Sequence, residues 1–182
     1  MAISYLTRMG GAAGSAVLSE PYIRLYEDVH ADPSYESNAL FTRAAYIRRA
    51  SAQSKHPGFT VVSAEDGPDL AGFCYGFTME AGRWWRGAIS SPPNEMLKEH
   101  KIAVIELMVR DNYRGSGAGK QLLAELLHGR DEAYATLTAR PVAPAHGMYL
   151  RWGWRVVGQS QPASDAPAMD IMLLPLWPAR AT

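Results

Sequence analysis

The chain has 182 residues with 18 acidic and 18 basic side chains, so its formal net charge is zero. Apolar residues make up 47 % and charged residues 20 %, an ordinary globular composition whose length predicts one domain over residues 1–182. The balanced charge and the scattered basic residues argue against a nucleic-acid-binding protein.

Cysteine content and hydropathy indicate the compartment. Cys74 is the only cysteine, which excludes an intramolecular disulfide and a cysteine-based zinc site and favours a reducing cytoplasm. No apolar run approaches the roughly 18 residues of a membrane-spanning helix, and residues 1–20 lack the apolar core of a signal peptide. We therefore expect a cytoplasmic protein without a membrane partner and without a metal.

The first part of the chain predicts two helices and a hairpin. Apolar residues recur at helical spacing in the helices, and β-branched and aromatic residues dominate the strands. An Asp66-Gly67 turn joins the two hairpin strands, and glycines inside the second of them indicate a bulge or a close backbone approach. The predicted elements are, in order, a strand, two helices and two strands, at residues 3–8, 17–29, 38–54, 58–65 and 70–79.

Residues 80–101 are predicted to be irregular, and they contain Trp84 and Trp85. A loop of this length in a compact domain is often a lid or a binding loop, and the alternative is that both tryptophans pack on the hairpin. The remaining elements are a strand at 103–109, a helix ending at 127, a strand at 134–139, a short helix from 143 and strands at 154–159 and 169–174. This order predicts a mixed α/β domain with helices on a largely antiparallel sheet.

Glu106 is the unusual residue of the strand at 103–109. The strand is otherwise a continuous apolar run, which is typical of a strand buried on both faces. A carboxylate there is costly unless it is paired or faces a wet cavity. Two interpretations follow: a functional carboxylate, or a structural one paired with an arginine across the sheet.

A glycine-rich segment at residues 114–120 follows, directly before a helix. Glycines let the backbone approach a ligand closely, and the amides at a helix start attract anions. The segment does not match the P-loop, because Arg114 stands at the first glycine position and Gln121 follows the lysine. It does not match the dinucleotide fingerprint either, because Lys120 takes the third glycine position.

The segment does match R-x-x-G-x-G, as Arg114-Gly-Ser-Gly117-Ala-Gly119, and residues 145–154 (AHGMYLRWGW) are similar to an A-x-x-x-Y-x-x-x-G-F signature. On these two motifs the chain resembles the GNAT family, the Gcn5-related N-acyltransferases. The resemblance implies one GNAT-like domain whose mostly antiparallel sheet is splayed between two parallel strands, at 103–109 and 134–139. One departure is Val142, which stands where members often have an asparagine that contacts pantetheine.

The resemblance also implies the binding of acyl-CoA, here acetyl-CoA, and assigns roles to particular residues. Glu106 takes the position of a general base, often acting through water, and Tyr149 the position of the acid that protonates the CoA thiolate. The alternatives are His146 or His100 as base and a purely packing role for Tyr149. The residues implied to bind the cofactor are Leu107, Met108 and Val109 for pantetheine, and Arg114, Gly115, Ser116, Gly117, Ala118, Gly119 and Lys120 for the pyrophosphate.

In the family, the acceptor site is formed by the first two helices, the loop between them and later connections, which here supply His30, Tyr35, Trp84 and Trp85. Acidic groups near the first helix, such as Asp28, suit a cationic amine, and aromatic rings attract its charge. We expect a small-molecule primary amine. A protein lysine or N-terminus remains an alternative acceptor. The alternative function is that of a regulatory module that binds CoA without turnover. Other members of the family are often dimers, which suggests a homodimer.

Overall fold

The computed structural model describes residues 5–31, 41–162 and 166–176. Its strands are β1 Tyr5–Gly10, β2 Thr60–Asp66, β3 Asp69–Met79, β4 Lys101–Val109, β5 Tyr134–Ala139, β6 Arg155–Ser160 and β7 Met169–Pro175. Its α-helices are α1 Glu20–His30, α2 Arg43–Gln53, α3 Asn94–Lys98, α4 Ala118–Leu127 and α5 Pro144–Arg151, and 3-10 turns occupy Gly11–Leu18 and Asp111–Tyr113. Within these ranges no helix is both long and apolar enough to cross a membrane.

The strands form one seven-stranded mixed sheet in the order β1-β2-β3-β4-β5-β7-β6. The pairs β1–β2, β2–β3, β5–β7 and β6–β7 are antiparallel. The pair β4–β5 is parallel, with a register that runs from Lys101 opposite Tyr134 to Ala103 opposite Thr136. The predicted fold class, a mixed sheet flanked by helices with β4 and β5 parallel, is confirmed.

The described chain divides into two compact units, and the first comprises Met1–Phe77 and Val104–His128. Its core is an apolar cluster in which α1 and α2 pack on β2 and β3, with Tyr26, Tyr46 and Phe73 fully buried. Gly72 in β3 lets β4 and α4 approach the strand closely, because a Cβ there would lie 2.7 Å from the Met108 carbonyl oxygen and 3.0 Å from Leu122 Cδ1. The predicted close backbone approach in β3 is therefore present, next to a register shift at Ala64 and Glu65.

The second unit comprises Thr78–Ala103 and Gly129–Thr182 and contains β5, β6, β7, α3 and α5. Apolar residues of β7 fill its core together with those of β5; Ile171 and Leu173 are fully buried. Gly153, at φ 89°, follows α5 and reverses the chain into β6, as a left-handed glycine does after a helix. The left-handed conformation of Gly153 therefore sets the turn between α5 and β6.

Both predicted N-terminal helices begin later than the sequence suggested. The first begins at Glu20 and not at residue 17, because Pro21 is accepted in the first turn of a helix but not in its interior. The second begins at Arg43, where Thr42 Oγ1 accepts a hydrogen bond from the Ala45 amide at 3.3 Å. The predicted residues 38–40 of that helix, and residues 3 and 4 of the first strand, lie outside the described residues.

The segment predicted to be irregular, residues 80–101, holds two elements. It contains α3, and β4 begins at Lys101, two residues earlier than predicted. Lys101 is fully buried, and its Nζ donates to the carbonyl oxygens of Met96 at 3.0 Å and Glu99 at 2.6 Å. A buried ammonium is tolerated when its protons are accepted in this way. The lysine therefore fastens the end of α3 to the start of β4.

Candidate functional site

The glycine-rich segment opens α4 in the first unit. Gly115 and Gly117 have φ of 77° and 90°, a backbone region that favours glycine, and a Cβ on either would meet no protein atom within 4 Å. The first intrahelical bond of α4 runs from the Gln121 amide to the Gly117 carbonyl oxygen at 3.1 Å. The amides of Gly119 and Lys120 therefore precede the intrahelical ladder, as helix-start amides do, and are suited to an anion.

The neighbouring side chains fix this segment and add charge to it. Ser116 Oγ donates to the Tyr113 carbonyl oxygen at 2.6 Å, and the Tyr113 hydroxyl donates to Asp66 Oδ2 at 2.8 Å. Arg114 is exposed and pairs with Asp111 at 2.9 Å, and Lys120 is exposed. The segment is thus a glycine turn anchored to the β2–β3 hairpin, with two cations beside the helix-start amides. These residues fit a pyrophosphate group.

The residues implied for pantetheine lie directly before this segment, at the end of β4. Met108 is buried, and Leu107 and Val109 are half-buried. The chain then passes to Arg110, whose amide donates to the Ala71 carbonyl oxygen at 2.9 Å. One continuous segment of the first unit therefore carries all ten residues expected to bind the cofactor, and Glu106 precedes them by one position.

Glu106 lies in β4 with 14 % of its side chain exposed. Burial raises the pKa of its carboxyl group to about 7, while the Arg49 guanidinium opposes that rise. Arg49 Nη2 lies 3.8 Å from Glu106 Oε1. The interpretation of Glu106 as a structural carboxylate predicted an arginine partner across the sheet. Glu106 does have an arginine partner, but this residue, Arg49, lies on helix α2. The carboxyl group can therefore exchange a proton near neutral pH.

Tyr149 lies on α5 in the second unit and is buried. Its ring contacts Trp152 edge-on, with centroids 5.9 Å apart, and Trp154 at 5.8 Å. Its carbonyl oxygen accepts from the amides of Trp152 and Trp154 at 3.0 and 3.1 Å. The tyrosine is thus held by the aromatic residues of the same motif, which fixes the direction of its side chain.

The two histidines considered as rival bases also lie in the second unit, in different settings. His146 Nε2 lies 2.9 Å from Asp170 Oδ2, and Asp170 Oδ1 accepts from Gln159 Nε2 at 3.0 Å. These bonds tie α5 to β6 and β7. His100 is exposed, and its carbonyl oxygen accepts from the Ala133 amide at 3.1 Å.

The residues expected at the acceptor site are distributed between the two units. His30 Nδ1 lies 2.8 Å from the Tyr26 carbonyl oxygen; its ring stacks on Phe41 at 4.8 Å, and burial lowers its pKa. In the second unit, Trp85 Nε1 donates to Thr136 Oγ1 of β5 at 2.9 Å. The Trp84 ring lies 5.9 Å from Lys101 Nζ. Tyr35 lies outside the described residues.

The acidic residues of α1 do not support the sequence argument for a cationic acceptor. Asp28 pairs with Arg110 at 2.6 Å, and Glu20 and Glu27 pair with Arg43 at 2.6 and 3.1 Å. These carboxylates therefore have cationic partners within the protein. Sequence reasoning also missed Arg49. Its signal was its position three residues after buried Tyr46, which places both on one face of α2.

In the described ranges, no group of three or more His, Cys, Asp and Glu side chains lies together as the ligands of a metal ion would.

Comparison with known proteins gives one consistent result. A model described as the acetyltransferase (GNAT) family matches residues 22–154. An acetyltransferase from Thermus thermophilus has the same fold, with 19 % identity, coverage of 96 % of this chain and 99 % of that chain, and a TM-score of 0.62. PaiA N-acetyltransferase from Thermoplasma acidophilum was solved with coenzyme A. It has 12 % identity, coverage of 94 % of this chain and 99 % of that chain, and a TM-score of 0.60.

A GNAT acetyltransferase from Streptococcus pneumoniae gives 13 % identity, coverage of 94 % and 99 %, and a TM-score of 0.59. Comparison with curated protein sequences gives no significant match. The family match covers more than half of the 182 residues and includes both motifs, the glycine segment and Tyr149. The chain therefore belongs to the GNAT acetyltransferase family and is an acyl-CoA-dependent N-acyltransferase.

Proposed function

We propose that this enzyme, as one domain over residues 1–182, transfers an acetyl group from acetyl-CoA to the primary amine of a small molecule. The observation that carries the proposal is Glu106, a mostly buried carboxyl group with a pKa of about 7, placed directly before the cofactor segment. A base with that pKa is ionised in a large fraction of the molecules near neutral pH and is basic enough to accept a proton from an amine.

The donor is proposed from the glycine segment and from the family. The amides at the start of α4, with Arg114 and Lys120, would hold the pyrophosphate, and the end of β4 would pair with pantetheine. The PaiA relative was solved with coenzyme A, which supports the same ligand here. The bound donor would supply the thioester carbonyl and a thiolate leaving group.

The proposed reaction is direct attack of the amine on the thioester. Glu106, directly or through one water, takes a proton from the attacking nitrogen, and the C–N bond forms as the C–S bond breaks. A β4 amide polarises the carbonyl oxygen, and Tyr149 donates a proton to the departing sulfur. The products are an N-acetyl amide and CoA thiol.

The acceptor is proposed from the aromatic residues that the family resemblance assigns to its site. These residues are His30, Tyr35, Trp84 and Trp85. A small molecule is preferred because a chain with zero net charge has no overall electrostatic attraction for a basic protein tail. Protein lysines and N-termini are the alternative acceptors. The proposed assembly is a homodimer, and the proposed compartment is the cytoplasm.

We expect acetyl-CoA to stabilise the protein and to be consumed when the right amine is present. Saturating ligand at about 100 times Kd adds about 2.7 kcal/mol to the free energy of unfolding, which a melting curve detects. Thiol release with a panel of small amines and lysine- and N-terminal peptides then identifies the acceptor. Peptide turnover alone would favour the protein substrate, and binding without turnover of any amine would favour the regulatory module. A chelator should leave the rate unchanged.

Gly117→Ala tests the cofactor segment itself. Gly117 caps α4 in the left-handed region, where an L-residue costs about 1–2 kcal/mol. We expect this loss of stability together with a CoA affinity weakened by about tenfold, because the turn can no longer hold its amides in place. Isothermal titration calorimetry with CoA measures the affinity.

Gly129→Ala is the matched control for this variant, since Gly129 also has a positive φ, 65°, with open space beside it, but follows the C-terminal end of α4. It should lose similar stability and keep its CoA affinity. Equal losses of affinity in both variants would contradict a special role for residues 114–120.

A further inference from the structure

Arg49 is a partly buried residue of α2 that connects helix α1 to Glu106. Its Nη2 donates to the Tyr26 hydroxyl at 2.9 Å and lies 3.8 Å from Glu106 Oε1. Its Cζ lies 6.0 Å from the centroid of the Tyr26 ring. Tyr26 is itself fixed, since its ring stacks on Tyr46 at 4.3 Å and both rings are fully buried. The guanidinium is therefore held in place by groups other than Glu106.

Within the described part of the chain, three other titratable groups interact with the Glu106 charge, and all three are neutral at ordinary pH. Tyr46 faces it from α2, and Cys74 and Tyr75 face it from β3; burial raises the pKa of all three, and the Glu106 charge raises them further. From α1, Tyr26 and His30 interact with Arg49, and burial lowers the pKa of His30. Among the described residues, Arg49 is thus the cation that pairs with Glu106.

The length of this ion pair matters. A charge-assisted hydrogen bond between guanidinium and carboxylate is about 2.7–2.9 Å long, and a bidentate pair of that length holds the carboxylate ionised and unreactive. The Arg49–Glu106 separation is 3.8 Å, so the cation acts on the carboxylate as a nearby charge, while Arg49 Nη2 donates a 2.9 Å hydrogen bond to the Tyr26 hydroxyl. The carboxylate oxygens are left able to accept a proton.

We propose that Arg49 is a positioning residue for the base: held by Tyr26, it keeps the Glu106 carboxylate ionised in the working pH range without engaging it in a short salt bridge. This inference rests on the proposed function. Burial raises the pKa of the Glu106 carboxyl group and Arg49 lowers it, so the pKa of about 7 depends on both. An opposite charge at about 4–6 Å lowers a carboxyl pKa by about 1–3 units.

Arg49→Gln removes the charge and should raise the Glu106 pKa by about one unit or more. Arg49→Lys keeps the charge and should move it by less. The matched control is Arg48→Gln, because Arg48 directly precedes Arg49 on α2 and is exposed. The measurement is a carbon-13 NMR titration of the side-chain carboxyl groups in glutamate-labelled protein, with the Glu106 signal assigned by its loss in Glu106→Gln. This measurement requires no substrate.

Unchanged Glu106 titration in Arg49→Gln would overturn the proposal. If the titration moves, the pH dependence of kcat/KM provides the second measurement. The positioning role is supported if the pKa of the acid limb rises by the same amount as the Glu106 pKa. Well below neutral pH, kcat/KM would then fall about tenfold for each unit by which that pKa rises. An NMR shift with an unmoved acid limb would show that Arg49 tunes Glu106 but that Glu106 is not the base, and the proposed function would then need revision.

Discussion

Glu106→Gln is expected to lose about 10²- to 10⁴-fold in kcat while keeping its affinity for CoA, because glutamine retains the size of the side chain but cannot accept a proton from the amine. The cofactor segment begins after residue 106, so its backbone amides are unaffected by the change. The measurement is thiol release with saturating acetyl-CoA, together with a CoA titration. Glu125→Gln, a partly exposed glutamate on α4, is the control and should retain full turnover.

The sign of the pH dependence follows from the raised pKa. A base works when ionised, so wild-type kcat/KM should rise with pH and level off above the Glu106 pKa of about 7. Glu106→Gln should lose that limb. An acceptor amine with a pKa below about 5 is neutral across the range in which Glu106 titrates, which keeps amine titration from obscuring the result. A variant that retains both its rate and the same limb would exclude Glu106 and direct attention to His146 and His100.

Tyr149→Phe is expected to show the second large effect, a kcat reduced by about 10²- to 10⁴-fold, since only the hydroxyl that would protonate the CoA thiolate is removed. The ring contacts with Trp152 and Trp154 are retained, so the melting temperature should fall little. Kinetics and a melting curve measured on one preparation test both statements.

Tyr134→Phe, at the start of β5, is the matched control and should retain its turnover. If Tyr149→Phe retains turnover as well, Tyr149 has a packing role. If it loses turnover together with most of its stability, the hydroxyl is structural. A large loss of kcat with stability and CoA affinity retained is the outcome that supports Tyr149 as the acid.

Much of the fold could be predicted because it is encoded locally. The bounds of β5, residues 134–139, follow from β-branched residues ended by Arg140-Pro141, and the end of α5 follows from Gly153. The motif at residues 114–120 depends on the spacing of glycines along one segment, which the sequence displays directly. Local chemistry also explains the wrong helix start at residue 17, since Pro21 was available as a signal.

The surroundings of Glu106 could not be predicted in the same way. Its partner, Arg49, lies far earlier in the chain and is adjacent to Arg48 on α2; which of the two faces β4 depends on how α2 rotates on the sheet. The same holds for Asp28, which the sequence suggested for an amine and which pairs with Arg110. Whether a charged side chain is used by the protein or left for a ligand is decided by tertiary packing.

Cys74, the single cysteine, is fully buried in β3, and burial raises the pKa of its thiol far above the ordinary range. A thiol in that state is a poor nucleophile toward disulfide reagents and thioesters. Chromogenic thiol detection can therefore run continuously with the folded enzyme present, because the colour records released CoA without a protein background. A slow colour increase without substrate would in turn report unfolding, which gives a built-in check on every variant.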